Sequence, residues 1–162
     1  MSRLIAATAI LVAATAVLVG CTEEKDPEPQ WTEKSAYAAA EETFRAYWAA
    51  GVQSSGARIG YLTTEMQEVE RAGDKELKEL GVELRGASKV ESAQFINFRQ
   101  VGDKVVVELS ACIDGSEVEV RRDGGEWSSP REDPSYQVEV QLESNDETML
   151  IADLTESEDD EC

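Results

Sequence analysis

The side chains able to do chemistry are few in kind. The 162 residues include three cysteines (Cys21, Cys112 and Cys162), four tyrosines, 34 carboxylates and no histidine. Without imidazole the chain lacks the usual general base near neutral pH and the commonest transition-metal ligand. Acid–base work would fall to carboxylates, Lys or Tyr, as where a buried Asp or Glu acts with a phenol. Tyr37, Tyr47, Tyr61 and Tyr136 supply phenols, but nothing in the spacing sets one beside a particular carboxylate. Asp114-Gly115-Ser116-Glu117 lacks the ligand spacing of a calcium loop and reads as a turn. The acidic run from Asp153 to Glu161 reads as a solvated tail. No Gly-rich phosphate loop, serine nucleophile motif or basic patch is present, so no catalytic residue, metal or cofactor is expected.

Cys21 stands at the end of a leader. Arg3 gives one positive charge, Leu4 to Val19 forms an apolar run of 16 residues, and Gly20 precedes the cysteine. The run is short for a membrane span and has the layout of an export signal. Leu18-Val19-Gly20-Cys21 resembles a lipobox, the motif of bacterial lipoprotein precursors. That resemblance implies diacylglyceryl transfer to the Cys21 sulfur and cleavage after the small Gly20, making Cys21 the mature N-terminus. Two acyl chains, at about 0.8 kcal/mol per buried methylene, would make a durable anchor. Residues 1–20 are then the signal peptide and 21–30 a lipidated flexible tether, because Thr22 to Gln30 is charged, Pro-containing and without an apolar residue. Its reach is about 30 Å at full extension.

Removing the leader takes only Arg3 from the charge balance. Fourteen basic residues then face 34 acidic ones, a formal charge of −20 before the termini. Such a charge opposes nucleic acid and anionic lipid surfaces alike, so the domain should stand off the membrane it is tied to. The expected location is the extracytoplasmic side of the cell membrane. That compartment permits disulfides, and with Cys21 lipidated two cysteines are left. A Cys112–Cys162 bridge would tie an otherwise apolar-free tail back to the body of the protein; free thiols or intermolecular pairing by Cys162 are the alternatives.

Residues 31–162, roughly 130 in number, suffice for one domain with its own core. Thr32 to Gly51 is helical: Tyr37, Ala40, Phe44, Tyr47 and Trp48 recur at i, i+3 or i+4 spacing. Thr32 can cap it, Trp31 can staple it and Gly51 can stop it. Val52 to Gly60 allows one short turn. Thr64-x-x-Gln67 reads as a capping box for a second helix with Met66, Val69, Leu77 and Leu80 on one side, interrupted near Gly73-Asp74 and ended by Gly81. Beyond Gly86 the period becomes two. Strands are expected over Lys89–Arg99, imperfect enough to be bulged, then Val105–Asp114, Glu117–Arg122, Tyr136–Leu142 and Thr148–Leu154. Helices gathered before antiparallel strands argue for an α+β fold, the helices on one face of a curved sheet of four to five strands and the other face acidic and wet.

With these elements in place the chain resembles small lipoproteins of actinobacteria and some of their phages, whose domain is similar to the nuclear-transport-factor-2-like, or cystatin-like, cone. The resemblance rests on the helix with Phe44, Tyr47 and Trp48, on Tyr61-Leu62-Thr63-Thr64-Glu65, on the strand ending Ala111-Cys112-Ile113-Asp114-Gly115-Ser116, and on Cys162. A tryptophan common on the last strand of such proteins is replaced here by the region of Met149 and Leu150. The resemblance implies a cone whose open end can hold a small ligand. It favours a non-catalytic lipoprotein that binds a protein, an envelope component or a small molecule, with exclusion of other phages as the role a phage-encoded version could have. The alternative is a ketosteroid-isomerase-like enzyme using carboxylate and Tyr in the cone.

Overall fold

The computed structural model describes residues 31–52, 55–146, 148–157 and 162. The leader, Gly20, Cys21 and the tether lie outside them. Among the described residues no helix is long and apolar enough to cross a membrane.

The first helix, α1, spans Glu33–Ala49. Its start is fixed by a reciprocal cap: Thr32 Oγ1 accepts from the Ser35 amide at 3.2 Å, and Ser35 Oγ accepts from the Thr32 amide at 2.9 Å. Serine thus does the work usually given to Glu or Gln at this position. Ala36, Ala40, Phe44, Tyr47 and Trp48 form its buried face, and the two alanines let the helix approach the sheet closely. The helix ends where Gly51 turns to a φ of +78° and the amide of Val52 donates to the Gly86 carbonyl at 3.0 Å. This hydrogen bond seats the C-terminal end of α1 on the segment that leads into the sheet.

A short helix, α2 (Ser55–Arg58), and a 3-10 turn, Ile59–Tyr61, lead to α3, Thr64–Glu79. Two sequence expectations are corrected here. The cap is Thr63, whose side chain accepts from the Met66 amide, while Gln67 donates to the Leu62 carbonyl instead of closing a box. The helix runs through Gly73 and Asp74 unbroken, because one helical glycine costs only about 1 kcal/mol. Its apolar side is shallow: no residue of α3 is fully buried, Met66 packs against the core, and Val69 and the C-cap Leu80 are 62% and 57% exposed.

Among the described residues the strands are β1 (Val82–Arg85), β2 (Lys89–Val101), β3 (Lys104–Asp114), β4 (Glu119–Arg122), β5 (Ser135–Asn145) and β6 (Thr148–Glu156). Four of them form an antiparallel sheet in the order β2-β3-β5-β6, and β1 pairs with β4 in a separate two-stranded sheet. The main sheet has three register irregularities: between Val90 and Ser92, between Phe95 and Asn97, and beside Gln141. Such bulges bend and twist a sheet. Helix α1 packs against both edge strands, β2 and β6, as well as β3, so the sheet curls around it. The fold is α+β, a curved antiparallel sheet wrapped on one face around the first helix.

The concave side is filled. Phe44, Val107, Leu109, Ile113, Leu142 and Ile151 are fully buried there, and Met149, in the region where the resembling proteins carry tryptophan, is 1% exposed. Burying each large side chain contributes about 1.5–3 kcal/mol. Phe95 and Phe98 pack against this core from β2 while partly exposed. The alternation of β3 puts Glu108, Ser110 and Cys112 on the opposite face, beside Glu139, Gln137 and Gln141 of β5, so the outer face is polar.

Candidate functional site

Where the C-terminal end of α1 meets the start of β5, the mouth of the cone keeps a cleft of about 80 Å³. Trp48 comes from α1, Ser88 from the entry to β2, Val118 from the β3–β4 turn, and Tyr136 from β5. Pro130, Arg131 and Pro134 belong to the loop between β4 and β5 and form the remaining wall. The volume admits several waters and is about half that of the engineered cavity of ~150 Å³ that holds benzene. It falls far short of the ~300–1,000 Å³ of sites for drug-sized ligands. The enclosed space is that of one small side chain.

The loop wall is fastened at two points. The Trp127 ring lies against two guanidiniums, Arg85 at 4.3 Å and Arg121 at 4.6 Å from its centroid, and these are paired with Glu119 and Glu83. Further along, Arg131 sits 4.5 Å from the Tyr136 ring centroid and holds Glu156 with both terminal nitrogens, at 3.0 and 2.5 Å. Gly115, which donates to the Pro134 carbonyl at 2.9 Å, closes the floor. A Cβ there would sit 3.4 Å from the Tyr136 ring, so the contact is tight.

Few polar groups line the cleft. Ser88 is only 3% exposed and lies beside the Tyr136 hydroxyl. Burial pushes the Tyr136 phenol above its ordinary range, against the opposing pull of Ser88 and Arg131, so its own proton stays on. Trp48 is 9% exposed, packed edge-on to Phe44, Tyr47 and Tyr136 at centroid distances of 6.2, 5.5 and 6.3 Å. Its indole nitrogen is buried and has no acceptor. Leaving such a donor unmade costs about 1–3 kcal/mol.

A second constellation joins α1 to α3. Arg58 pairs with Glu70, both side chains largely buried, and its guanidinium lies 5.0 Å from the Tyr47 ring centroid. Burial pushes the Tyr47 phenol up to about 12, against the lowering effect of Arg58 and with Glu70 adding to the rise. The sequence did not pair a tyrosine with a carboxylate, and the fold does. The partners are 23 residues apart on separate helices, a spacing with no signature of its own.

The outer face holds the other predicted features. A groove of about 340 Å³ runs past Glu108, Glu139 and Asp153, with Glu108 paired to Arg99 at 2.9 Å. Asp114 accepts from the Ser116 amide at 2.8 Å, which holds its carboxyl below the usual range and makes the segment a turn. Among the described residues no three Cys, Asp or Glu side chains converge as a metal cluster. Of the tail expected over 153–161, residues 158–161 lie outside the described residues.

Cys112 and Cys162 meet on this face. They are free thiols in the structure, not a bridge, and line one cavity of about 220 Å³ with Ser92, Gln94, Ser110 and Gln137. The Cys162 thiol is pushed up to about 11, first by desolvation, then by the neighbouring Cys112, with the Ile113 backbone pulling the other way.

No family model matches the chain, and no curated protein matches it. Solved structures do. The intermembrane-space region of the chloroplast protein ARC6 is similar at 12% identity and a TM-score of 0.42, over 79% of this chain and 98% of that one. CagV of Helicobacter pylori strain 26695, a VirB8 homolog of a type IV secretion system, is similar at 12% identity and a TM-score of 0.42, over 74% and 97%. An Ntf2-like protein involved in plasmid conjugation is similar at 17% identity and a TM-score of 0.43, over 80% of this chain but half of that one.

Proposed function

We propose that this protein is a non-catalytic interaction module, held on the outer side of a cell membrane by lipid on Cys21. The attachment rests on the lipobox, with cleavage between Gly20 and Cys21. The observation that carries the binding role is the filled concave face. Where an enzyme of the resembling fold would hold substrate, Phe44, Leu109, Ile113, Leu142 and Ile151 leave no exposed surface of their own. The cleft beside Trp48 and Tyr136 is the size of one side chain, the scale of an anchoring pocket in a protein interface. The partner is a protein of the envelope or cell surface, and exclusion of other phages is one role such a module fills if it is phage-borne.

The test is affinity capture. The full chain, purified in detergent and immobilised, is exposed to envelope extract beside a variant whose mouth is blocked, Ser88→Phe. Saturable recovery of one partner by the native protein alone supports the module. Catalytic turnover of a carbonyl substrate, abolished by Glu70→Gln, would replace it with the isomerase-like reading. Tyr47 and Glu70 are the pair that reading would use. Arg58 already occupies the carboxylate, and a phenol at about 12 is a poorer acid than an ordinary one.

The same placement outside the cell leads to a second proposal: Cys112 and Cys162 close a disulfide there. Exchange with an oxidised dithiol carrier would form one S–S bond, and the carrier would take up both hydrogens. The adjacency of the two thiols supports it.

A further inference from the structure

We propose that the free edge of β2, from Asn97 to Val101, is a docking strand on which an extended, basic segment of a protein partner pairs as an added strand. The proposal rests on the interaction-module reading and adds a second point of contact to the mouth cleft.

Strand β2 is an outer strand of the main sheet, and its register shows which way its backbone points. Val101 and Lys104 face each other across Gly102-Asp103, and Gly102 has a φ of +66°, the mark of a two-residue hairpin with glycine first. The residues closing such a hairpin exchange both hydrogen bonds. Alternation then turns the backbone groups of Arg99 and Asn97 to β3 and those of Phe98 and Gln100 outward. A separate contact agrees. The Val105 amide, opposite Gln100, donates to Ser144 Oγ on β5 at 2.8 Å, away from β2.

Elsewhere the sheet's edges are capped from outside. On β6, Thr43 Oγ1 donates to the Met149 carbonyl at 3.0 Å, the Thr63 amide to the Ile151 carbonyl at 2.9 Å, and the Leu154 amide to the Asp153 carboxylate at 3.0 Å. On β2, Arg45 and Tyr37 of α1 donate to the carbonyls of Val90 and Ala93, at 2.7 and 3.4 Å. Past the bulge at Ile96 the caps stop. Among the described residues nothing meets the outward groups of Phe98 and Gln100.

Composition points the same way. Protected edges carry charge, yet in a chain with 34 carboxylates Ser92 to Val101 has none. Ile96 and Val101 are each more than half exposed, and β-branched side chains on an incoming strand would cover them. Charge selects the partner. A body at −19 repels a second copy of itself and draws in a basic segment, and Glu108 and Glu139 lie beside Ile96 in the outer groove to meet it. The chain's own tether does not qualify: Thr22 to Gln30 carries four carboxylates and two prolines, which cannot donate to a ladder.

The experiment reads hydrogen exchange, amide by amide, in the full chain in detergent, with a blocked hexapeptide of alternating valine and lysine as the probe. Saturating peptide should slow exchange at Phe98 and Gln100 at least tenfold. The same peptide methylated on every amide nitrogen, and its valine–glutamate counterpart, should each bind at least tenfold more weakly. Gln100→Pro removes an outward N–H that no ladder bond uses, and should weaken the peptide at least tenfold with Tm unchanged. Val101→Glu, at an exposed side chain, should weaken it as well and serves if the proline variant does not fold. Unchanged exchange at Phe98 and Gln100, equal binding of the methylated peptide, or full affinity in the folded variants overturns the docking strand. A dimer in sedimentation that Gln100→Pro takes apart overturns it too, since the occupant would then be a second copy. An envelope partner lost with Ser88→Phe, yet retained by Gln100→Pro and indifferent to the peptide, would sink this proposal and leave the module standing.

Discussion

Cys112 and Cys162, 50 residues apart in the chain, line one cavity on the polar face of the central strand. Mass spectrometry of protein from the cell envelope, digested without reductant, should find their two peptides joined and two hydrogens lighter. Closing a loop of about 50 residues is worth about 4 kcal/mol in the chain-entropy model, so reduction should lower Tm on the order of 10 °C. In the reduced protein, alkylation of Cys162 should keep accelerating past pH 9, towards the pKa of about 11. A plateau below pH 9, or unpaired thiols on the exported protein, speaks against the pair.

Tyr47 makes stability fall at high pH. Its folded pKa, about 12, exceeds its ordinary value of 10.0, so folding favours the protonated phenol. That contribution is complete below about pH 10 and is lost as pH rises through 12, amounting to about 2–3 kcal/mol at most. Urea melts at pH 9 and pH 11.5 should show the drop, and Tyr47→Phe should show a smaller one.

Breaking the Arg58–Glu70 pair should cost about 3 kcal/mol, since Arg58→Ala strands a largely buried carboxylate against Tyr47. Replacing both partners by apolar residues should cost less than replacing one. A double-mutant cycle read by denaturant midpoint tests this; additive single changes would contradict the pairing.

Two glycines should respond with opposite signs. Gly86 has a φ of +95° and its Cβ would lie 2.0 Å from the Glu117 carbonyl, so Gly86→Ala should unfold or strongly destabilise the protein. Gly73 sits inside α3 with open space around it, and Gly73→Ala should stabilise by about 1 kcal/mol. Thermal melts of the two variants decide the matter.

What could be read in the sequence was whatever repeats with a short period. The alternation from Val105 to Asp114 and the aromatic stripe of α1 each bury one face, and the pattern states which. Strand β1 escaped notice because four residues between Gly81 and Gly86 are too few to show a period, and its partner β4 lies more than 30 residues on. The apolar side of α3 was legible as a side, but periodicity does not say how far it is covered, and only Met66 reaches the core. The mouth cleft was invisible for another reason. Trp48, Ser88, Arg131 and Tyr136 come from separate segments and meet only when the sheet has curled around α1.

Attachment is the claim from which compartment, oxidation and display all follow, and intact mass spectrometry of the protein taken from its native membrane measures it directly. The account predicts a chain beginning at Cys21 with a diacylglyceryl thioether on that residue. A chain that still begins at Met1, with no acyl mass on Cys21, would contradict it.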